Sequence, residues 1–147
     1  MLLSIACHPG LSSAGDKPLL KIGDLTAGAS ICYEIIFGEE IRDALPEAQV
    51  LINMSNDGWF GTTWGPLQHF QMARMRALES GRYLLRSTNT GITAVIDAHG
   101  RVTARLPQFQ RDILTAGFTP YRGLTPYARA GLLPWAALSL FLLLIAF

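Results

Sequence analysis

Cys32 and Glu34 are the residues whose types and spacing could do chemistry. They lie in Ser30-Ile31-Cys32-Tyr33-Glu34, where a strand-like run ends and a short helical run follows. A nucleophile on such a bend is exposed at the edge of a sheet, close to helix-terminal N–H groups. Those groups favour the thiolate, the reactive form of cysteine. Glu34 is two residues on, and in extended backbone it would face the same side as Cys32. Taken alone, each has a plainer reading: a lone Cys is more often an inert small core residue, and a Glu there is more often a helix-start or surface acid. His69 is the candidate base for a Cys/His hydrolase. It sits mid-helix between glutamines 68 and 71, and nothing in the sequence brings it to Cys32. Cys7-His8 is too short for a metal site and no second ligand pair follows, so neither a metal nor a cofactor is expected.

The elements that must position these residues read as a mixed α/β domain over residues 1–126. Residues 1–18 carry Gly, Ser and Pro and read as loop. Residues 19–22 and 26–32 are candidate strands parted by Gly23-Asp24, a hairpin turn. Residues 38–45 suit a short helix that ends before Pro46. Residues 49–54 form a compact apolar strand, and Ser55-Asn56-Asp57-Gly58 is a turn. Residues 65–82 are the longest soluble helix, with Leu67, Phe70, Met75 and Leu78 near one face and Gly81 near its stop. Strands follow at 83–87, 92–97, 101–106 and 112–118, the second and third forming a hairpin through His99-Gly100. The order predicts helices packed on a mixed sheet, and two helices cover such a domain thinly, so a partner layer is expected from elsewhere. Arg74, Arg76, Glu79 and Arg82 are expected on a solvated or ion-paired helix face.

The 147 residues are 50% hydrophobic and 16% charged, with a formal net charge of +1. That balance excludes a disordered chain and lacks the basic stripe of a nucleic-acid binder. Two cysteines make a disulfide scaffold a poor fit. The tail decides the broad class. From Ala130 to Phe147 no charge interrupts the sequence, and about 18 helical residues would span about 27 Å, near the low end of what crosses a bilayer. Residues 127–147 are therefore expected to form one transmembrane helix, with Trp135 and Tyr127 at the headgroup layer.

Further motifs follow Cys32 in order: Asn53-Met54-Ser55-Asn56-Asp57-Gly58-Trp59-Phe60-Gly61, then Gln68-His69-Phe70-Gln71-Met72-Ala73-Arg74-Met75-Arg76-Ala77-Leu78-Glu79, then Arg86-Ser87-Thr88-Asn89-Thr90-Gly91. Gly123-Leu124-Thr125-Pro126-Tyr127-Ala128-Arg129 stands ahead of the apolar tail. Over residues 19–147 this series resembles the C-terminal part of the bacterial apolipoprotein N-acyltransferase family, a membrane-embedded branch of the nitrilase (carbon–nitrogen hydrolase) superfamily. The resemblance implies the C-terminal part of an α-β-β-α sandwich followed by one membrane helix. It implies a Glu-Lys-Cys triad that takes a fatty acyl chain from a phospholipid donor and passes it to the N-terminal amine of a lipoprotein acceptor. Cys32 would be the nucleophile that becomes a thioester, with Tyr33 and Glu34 as its essential neighbours. Trp59 and Phe60 would belong to a mobile loop that contacts lipid, their plainer role being hinge packing at a turn. Asn56, Asp57 and Asn89 would hold loops in place.

The family's general-base Glu and oxyanion-stabilising Lys precede the Cys. Here 31 residues precede Cys32, with Lys17 and Lys21 but no Glu. Neither Lys stands in a triad-like context, and Lys21 reads as a surface residue. A fragment inactive by itself is the expectation. The family's catalytic domain faces the periplasm from the inner membrane; Arg122 and Arg129 hint weakly at the cytoplasmic side, and the family orientation is adopted. The alternatives are a soluble-type nitrilase or amidase half-domain, which would not need the tail, and a non-catalytic tail-anchored lipid-binding domain, favoured by the missing Glu and Lys.

Overall fold

The computed structural model describes residues 19–146; the loop expected over residues 1–18, with Cys7 and Lys17, lies outside the described residues. Six strands form one mixed sheet in sequence order. Leu19–Ile22 (β1) and Leu25–Ile31 (β2) make the expected antiparallel hairpin around Gly23, whose φ of 60° suits a residue without a side chain. Val50–Ser55 (β3) runs parallel to β2, and Leu84–Thr88 (β4) parallel to β3. Ala94–Ile96 (β5) and Val102–Arg105 (β6) close the sheet as an antiparallel pair. Asp97 fixes their turn, its carboxylate accepting from the backbone N–H of His99 and Arg101.

Parallel neighbours need crossovers, which the helices supply. Gly38–Asp43 (α1) joins β2 to β3, and Gly65–Ser80 (α2) joins β3 to β4. α2 ends at Gly81, left-handed at φ 61°. Its buried stripe is Pro66, His69, Phe70, Ala73, Ala77 and Ser80. Of the four residues expected inward only Phe70 is buried; Leu67, Met75 and Leu78 are exposed. The reason is steric. Fully buried Ala73 and Ala77 let the helix lie close on Leu51, Leu84, Ala94 and Ile96 of the sheet. Apolar residue type alone marks the wrong face when small residues make the contact. On the opposite face Ala29, Ile52 and Leu85, neighbours in register, stay half-buried.

Two further expectations are corrected. Residues 112–118 form no strand; Asp112 accepts from the N–H of Ile113, and Ile113 is exposed. The segment returns across the sheet instead, with Phe118 and Tyr121 against Tyr83 and the Tyr121 N–H donating to Gln49. Arg82 is not on a solvated face. It is 2% exposed, and its guanidinium donates to the carbonyls of Leu45, Ala48, Ser80, Gly81 and Gly123. Burial pulls its pKa below the usual arginine value. Arg76 and Glu79 do pair, at 2.7 Å, and Lys21 is exposed as expected.

The apolar tail is divided. Thr125 caps Pro126–Ala130 (α3), Gly131 breaks the backbone at φ 63°, and Leu133–Ala146 (α4) follows. The 14 residues of α4 make about 21 Å at about 1.5 Å each, against a hydrocarbon core of about 30 Å. Among the described residues no helix is long and apolar enough to cross a membrane. Glycine suits position 131 because L side chains rarely adopt its backbone conformation, φ 63° with ψ −148°. Replacing Leu84, fully buried at the centre of the core, should show how far this one layer carries the fold: Leu84→Ala is expected to lower the unfolding free energy by about 2–5 kcal/mol, read from the denaturant midpoint.

Candidate active site

The carboxyl ends of the parallel strands β2, β3 and β4 converge, and open α/β sheets bind ligands at such ends. Cys32 follows β2, Ser55 ends β3, and Arg86 lies at the middle of β4. Cys32 is half-buried and opens a 3₁₀ turn, Cys32–Ile36. Its φ of 52° is left-handed, a conformation that costs about 1–2 kcal/mol for a residue with a side chain. Two side chains hold it there. Asn53 Nδ2 donates to the Cys32 carbonyl at 3.3 Å, and His69 Nε2 donates to the same oxygen at 3.1 Å. Glu34 Oε2 accepts from the Ile31 N–H at 2.7 Å, tying the first turn back to the strand. Glu34 thus bonds backbone. The extended-chain argument for its direction does not apply, because the chain is already turning at Cys32.

Beneath the thiol lies a charged cluster. Asp57 is fully buried; its Oδ1 accepts from Ser55 Oγ at 2.7 Å and meets His69 Nδ1 at 3.0 Å, and its Oδ2 pairs with Arg86 at 3.0 Å. Arg86 also donates to Asn53, which bonds Ser30 through its amide nitrogen. His69 Nε2 faces a carbonyl, so it carries a proton. Nδ1 faces both the Asp57 carboxylate and, at 3.1 Å, the Arg86 guanidinium. Ser55 Oγ reaches Cys32 Sγ at 3.6 Å. Gly91 is needed here, since a Cβ at that position would lie 2.0 Å from Asp57 Oδ2. Asn89 and Asn56 hold the surrounding loop as expected: Asn89 accepts from the Asp57 N–H and donates to Asn56.

Burial pushes the Asp57 carboxyl upward, but hydrogen bonds from His69 and Ser55 and the charge of Arg86 outweigh it, leaving the pKa below the usual aspartate value. Burial also lowers Arg86, opposed by Asp57. The other expected site residues separate. Tyr33 is half-exposed, edge-on to Phe37 and 6.0 Å from the His69 ring. Trp59 is 88% exposed. Phe60 packs inward, edge-on to His69 and against Gly65. His69 does reach Cys32, but at its carbonyl rather than its thiol. Sequence reasoning missed Ser55, Asn53 and Arg86 as site residues. Besides the quoted motifs, Asn53 and Ser55 carry the signal of their period-two spacing on β3, which puts both on the face of Cys32; Arg86 has no such signal. Among the described residues no three His, Cys, Asp or Glu side chains could hold a metal ion.

Residues 8–126 match the carbon-nitrogen hydrolase family, and the chain belongs to it. The yeast protein Nit3, a member of branch 10 of the nitrilase superfamily, shares the fold with a TM-score of 0.57 and 24% identity over 67% of this chain and 39% of its own. Within that class the similarity is to apolipoprotein N-acyltransferases: 49% identity to that of Azotobacter vinelandii over 87% of this chain and 25% of the relative. The one from Methylococcus capsulatus is 48% identical over 95% of this chain and 27% of its own. The chain thus spans about a quarter of the length of these curated relatives.

Because the folded-state pKa of Asp57 lies below its unfolded value, the folded chain resists protonating it. That stabilisation is full above the ordinary aspartate pKa, about 3.9, and fades as pH falls through the lower folded value. Stability of the chain should therefore decline with pH below about 4, and Asp57→Asn should flatten the slope; urea midpoints measured from pH 6 to 3 test it, and parallel slopes would exclude Asp57 as the source.

Proposed function

We propose that this chain carries the nucleophile half of an apolipoprotein N-acyltransferase. The Cys32 thiolate attacks the acyl carbonyl carbon of a phospholipid; the ester C–O bond breaks, and the lysophospholipid oxygen takes a proton. The N-terminal amine of a diacylglyceryl-cysteine lipoprotein then attacks the thioester, the C–S bond breaks, and the thiol is restored. The observation that carries this reading is Cys32 held in a left-handed turn at the ends of the parallel strands, in a chain 49% identical to enzymes of that name. Glu34 and Tyr33 support the turn and its rim. Trp59 meets the acyl chain, and Phe60 anchors its loop. The general base and the oxyanion-stabilising cation come from the part of the enzyme that precedes the matched quarter in the relatives. Residues 1–126 are the partial catalytic domain, and 127–147 the membrane segment.

The same reading puts the protein in the bacterial inner membrane, with the domain on the periplasmic side. Leu133, Trp135, Leu138 and Leu140 to Ile145 are all exposed on α4. An apolar surface continuous around a helix is unstable in water, and lipid would cover it. The chain should stay in the pellet when bacterial membranes are washed with alkaline carbonate; release into the supernatant would favour the soluble amidase reading.

The catalytic part is tested by mass analysis of the Cys32 peptide from bacterial membranes. The chain is produced alone or beside the preceding three quarters of the A. vinelandii relative. An acyl mass removable by hydroxylamine is expected only in the combined sample, and not in Cys32→Ser. The acyl mass on the chain alone would overturn the incomplete-site reading, and its absence from both would overturn the acyltransferase reading.

A further inference from the structure

The buried cluster touches the reacting atom at one point. The Ser55 hydroxyl stands 2.7 Å from Asp57 Oδ1 and 3.6 Å from Cys32 Sγ. One hydroxyl proton therefore has two acceptors. While the thiol is protonated, that proton serves Asp57, and the S–H can donate to Ser55. When the thiol proton leaves to water, Sγ becomes the stronger claimant, and a small rotation about the Ser55 side chain turns the O–H onto it. We propose that Ser55 is a further catalytic residue of this site, the donor that stabilises the Cys32 thiolate, and that Asp57 and His69 act through it as positioning residues.

The geometry supports this in three ways. Asp57 cannot move: Arg86 holds its second oxygen, His69 faces the first, and Gly91 presses on it from the side without a side chain. Ser55 lies on β3 opposite Thr88 of β4, so its backbone is fixed in the sheet. The Cys32 backbone is clamped by Asn53 and His69, which fixes Sγ relative to Ser55. Hydrogen-bond donation to the charged form lowers a pKa. The groups around Cys32 are Glu34 and Tyr33 on its own turn, Asn53 and Ser55 on β3, Asp57 beyond it, His69 on α2 and Arg86 on β4. Glu34 is engaged by the Ile31 N–H, and the charges of Asp57 and Arg86 face one another. Of these groups, the Ser55 O–H is the donor within hydrogen-bond reach of Sγ, and the Arg86 charge also acts on the sulfur. The proposal deepens the acyl-transfer reading, since the thiolate is the species that attacks the acyl carbon.

The test is the pH dependence of iodoacetamide alkylation in membrane vesicles holding the 147-residue chain. It is read on the Cys32 peptide because Cys7 is a second thiol. Ser55→Thr and Ser55→Val are the same size and differ in the hydroxyl alone. The alkylation midpoint is expected to rise by about one pH unit in Ser55→Val and to stay near wild type in Ser55→Thr. Equal midpoints in the two variants, or a rise in both, would overturn the role of Ser55. The reading depends on no acyl donor. Loss of the acyl thioester with the Val-to-Thr difference intact would therefore overturn the acyltransferase reading and leave the Ser55 role standing.

Discussion

Everything at the carboxyl edge of this sheet depends on the ion pair between Asp57 and Arg86, both side chains fully shielded from water. Bringing two charges into a protein interior costs several kcal/mol per ion. The attraction offsets that only when the remaining donors and acceptors are satisfied. Here Asp57 takes a hydrogen bond from Ser55 and its own backbone is held by Asn89, while Arg86 spends a second nitrogen on Asn53 and leaves its Nε without a partner among the described residues. The pair is then a constraint on geometry more than a source of stability. It requires β3, β4 and the turn after β3 to meet at fixed spacing, and it supplies the stiff base on which His69 and Asn53 hold Cys32 in its left-handed turn.

A second buried cation organises the other end. Arg82 donates only to carbonyls, and those come from the end of α1, the end of α2 and Gly123. Two residues later the Thr125 hydroxyl donates to the Glu79 carbonyl of α2 and accepts from Ala128, starting α3. The helix α2 is therefore a ruler between two fixed points. His69, near its start, is bound to Cys32; Glu79 and Ser80, at its end, are bound to the segment that leads into the apolar tail. The helical stretch from His69 to Glu79, about 15 Å along the axis, fixes the separation of those two points.

Much of this was legible in the sequence, and the exceptions share a cause. Strand and helix positions followed from period and turn chemistry: Gly23-Asp24 for one hairpin, His99-Gly100 for another, Gly81 for the end of α2. The cysteine stood out by its place after a strand. The buried face of α2 was misjudged because alanines, not leucines, meet the sheet. Arg82 read as an ordinary surface charge and Arg86 had no reading of its own beyond its motif, since nothing local distinguishes an arginine that will be buried by strands far away in sequence. Residues 112–118 had strand-like composition but lead instead to Tyr83 and Gln49, and pairing is a tertiary fact. His69 was the sharpest case. Its ring reaches Cys32 across 37 residues of chain, by way of a carbonyl rather than the thiol, a contact no motif announces.

The site that results has two unlike sides. Below Cys32 lie the carboxylate, guanidinium, imidazole and amide groups, all buried and bonded to one another. On the turn itself and the loops nearby, Tyr33, Phe37, Trp59 and Trp64 are exposed. Apart from the Ser55 hydroxyl, these polar groups are already paired and do not reorganise when a substrate arrives. Exposed aromatic side chains offer an apolar acyl chain contact area without a buried polar group to desolvate. On the proposed acyl-transfer reading, a thiolate at that boundary takes the Ser55 hydrogen bond from beneath, and hydrocarbon approaches from above. If the acyl donor is a lipid, as proposed, the aromatic rim has a chain to cover it, whereas a small, well-hydrated amide would leave that rim bare.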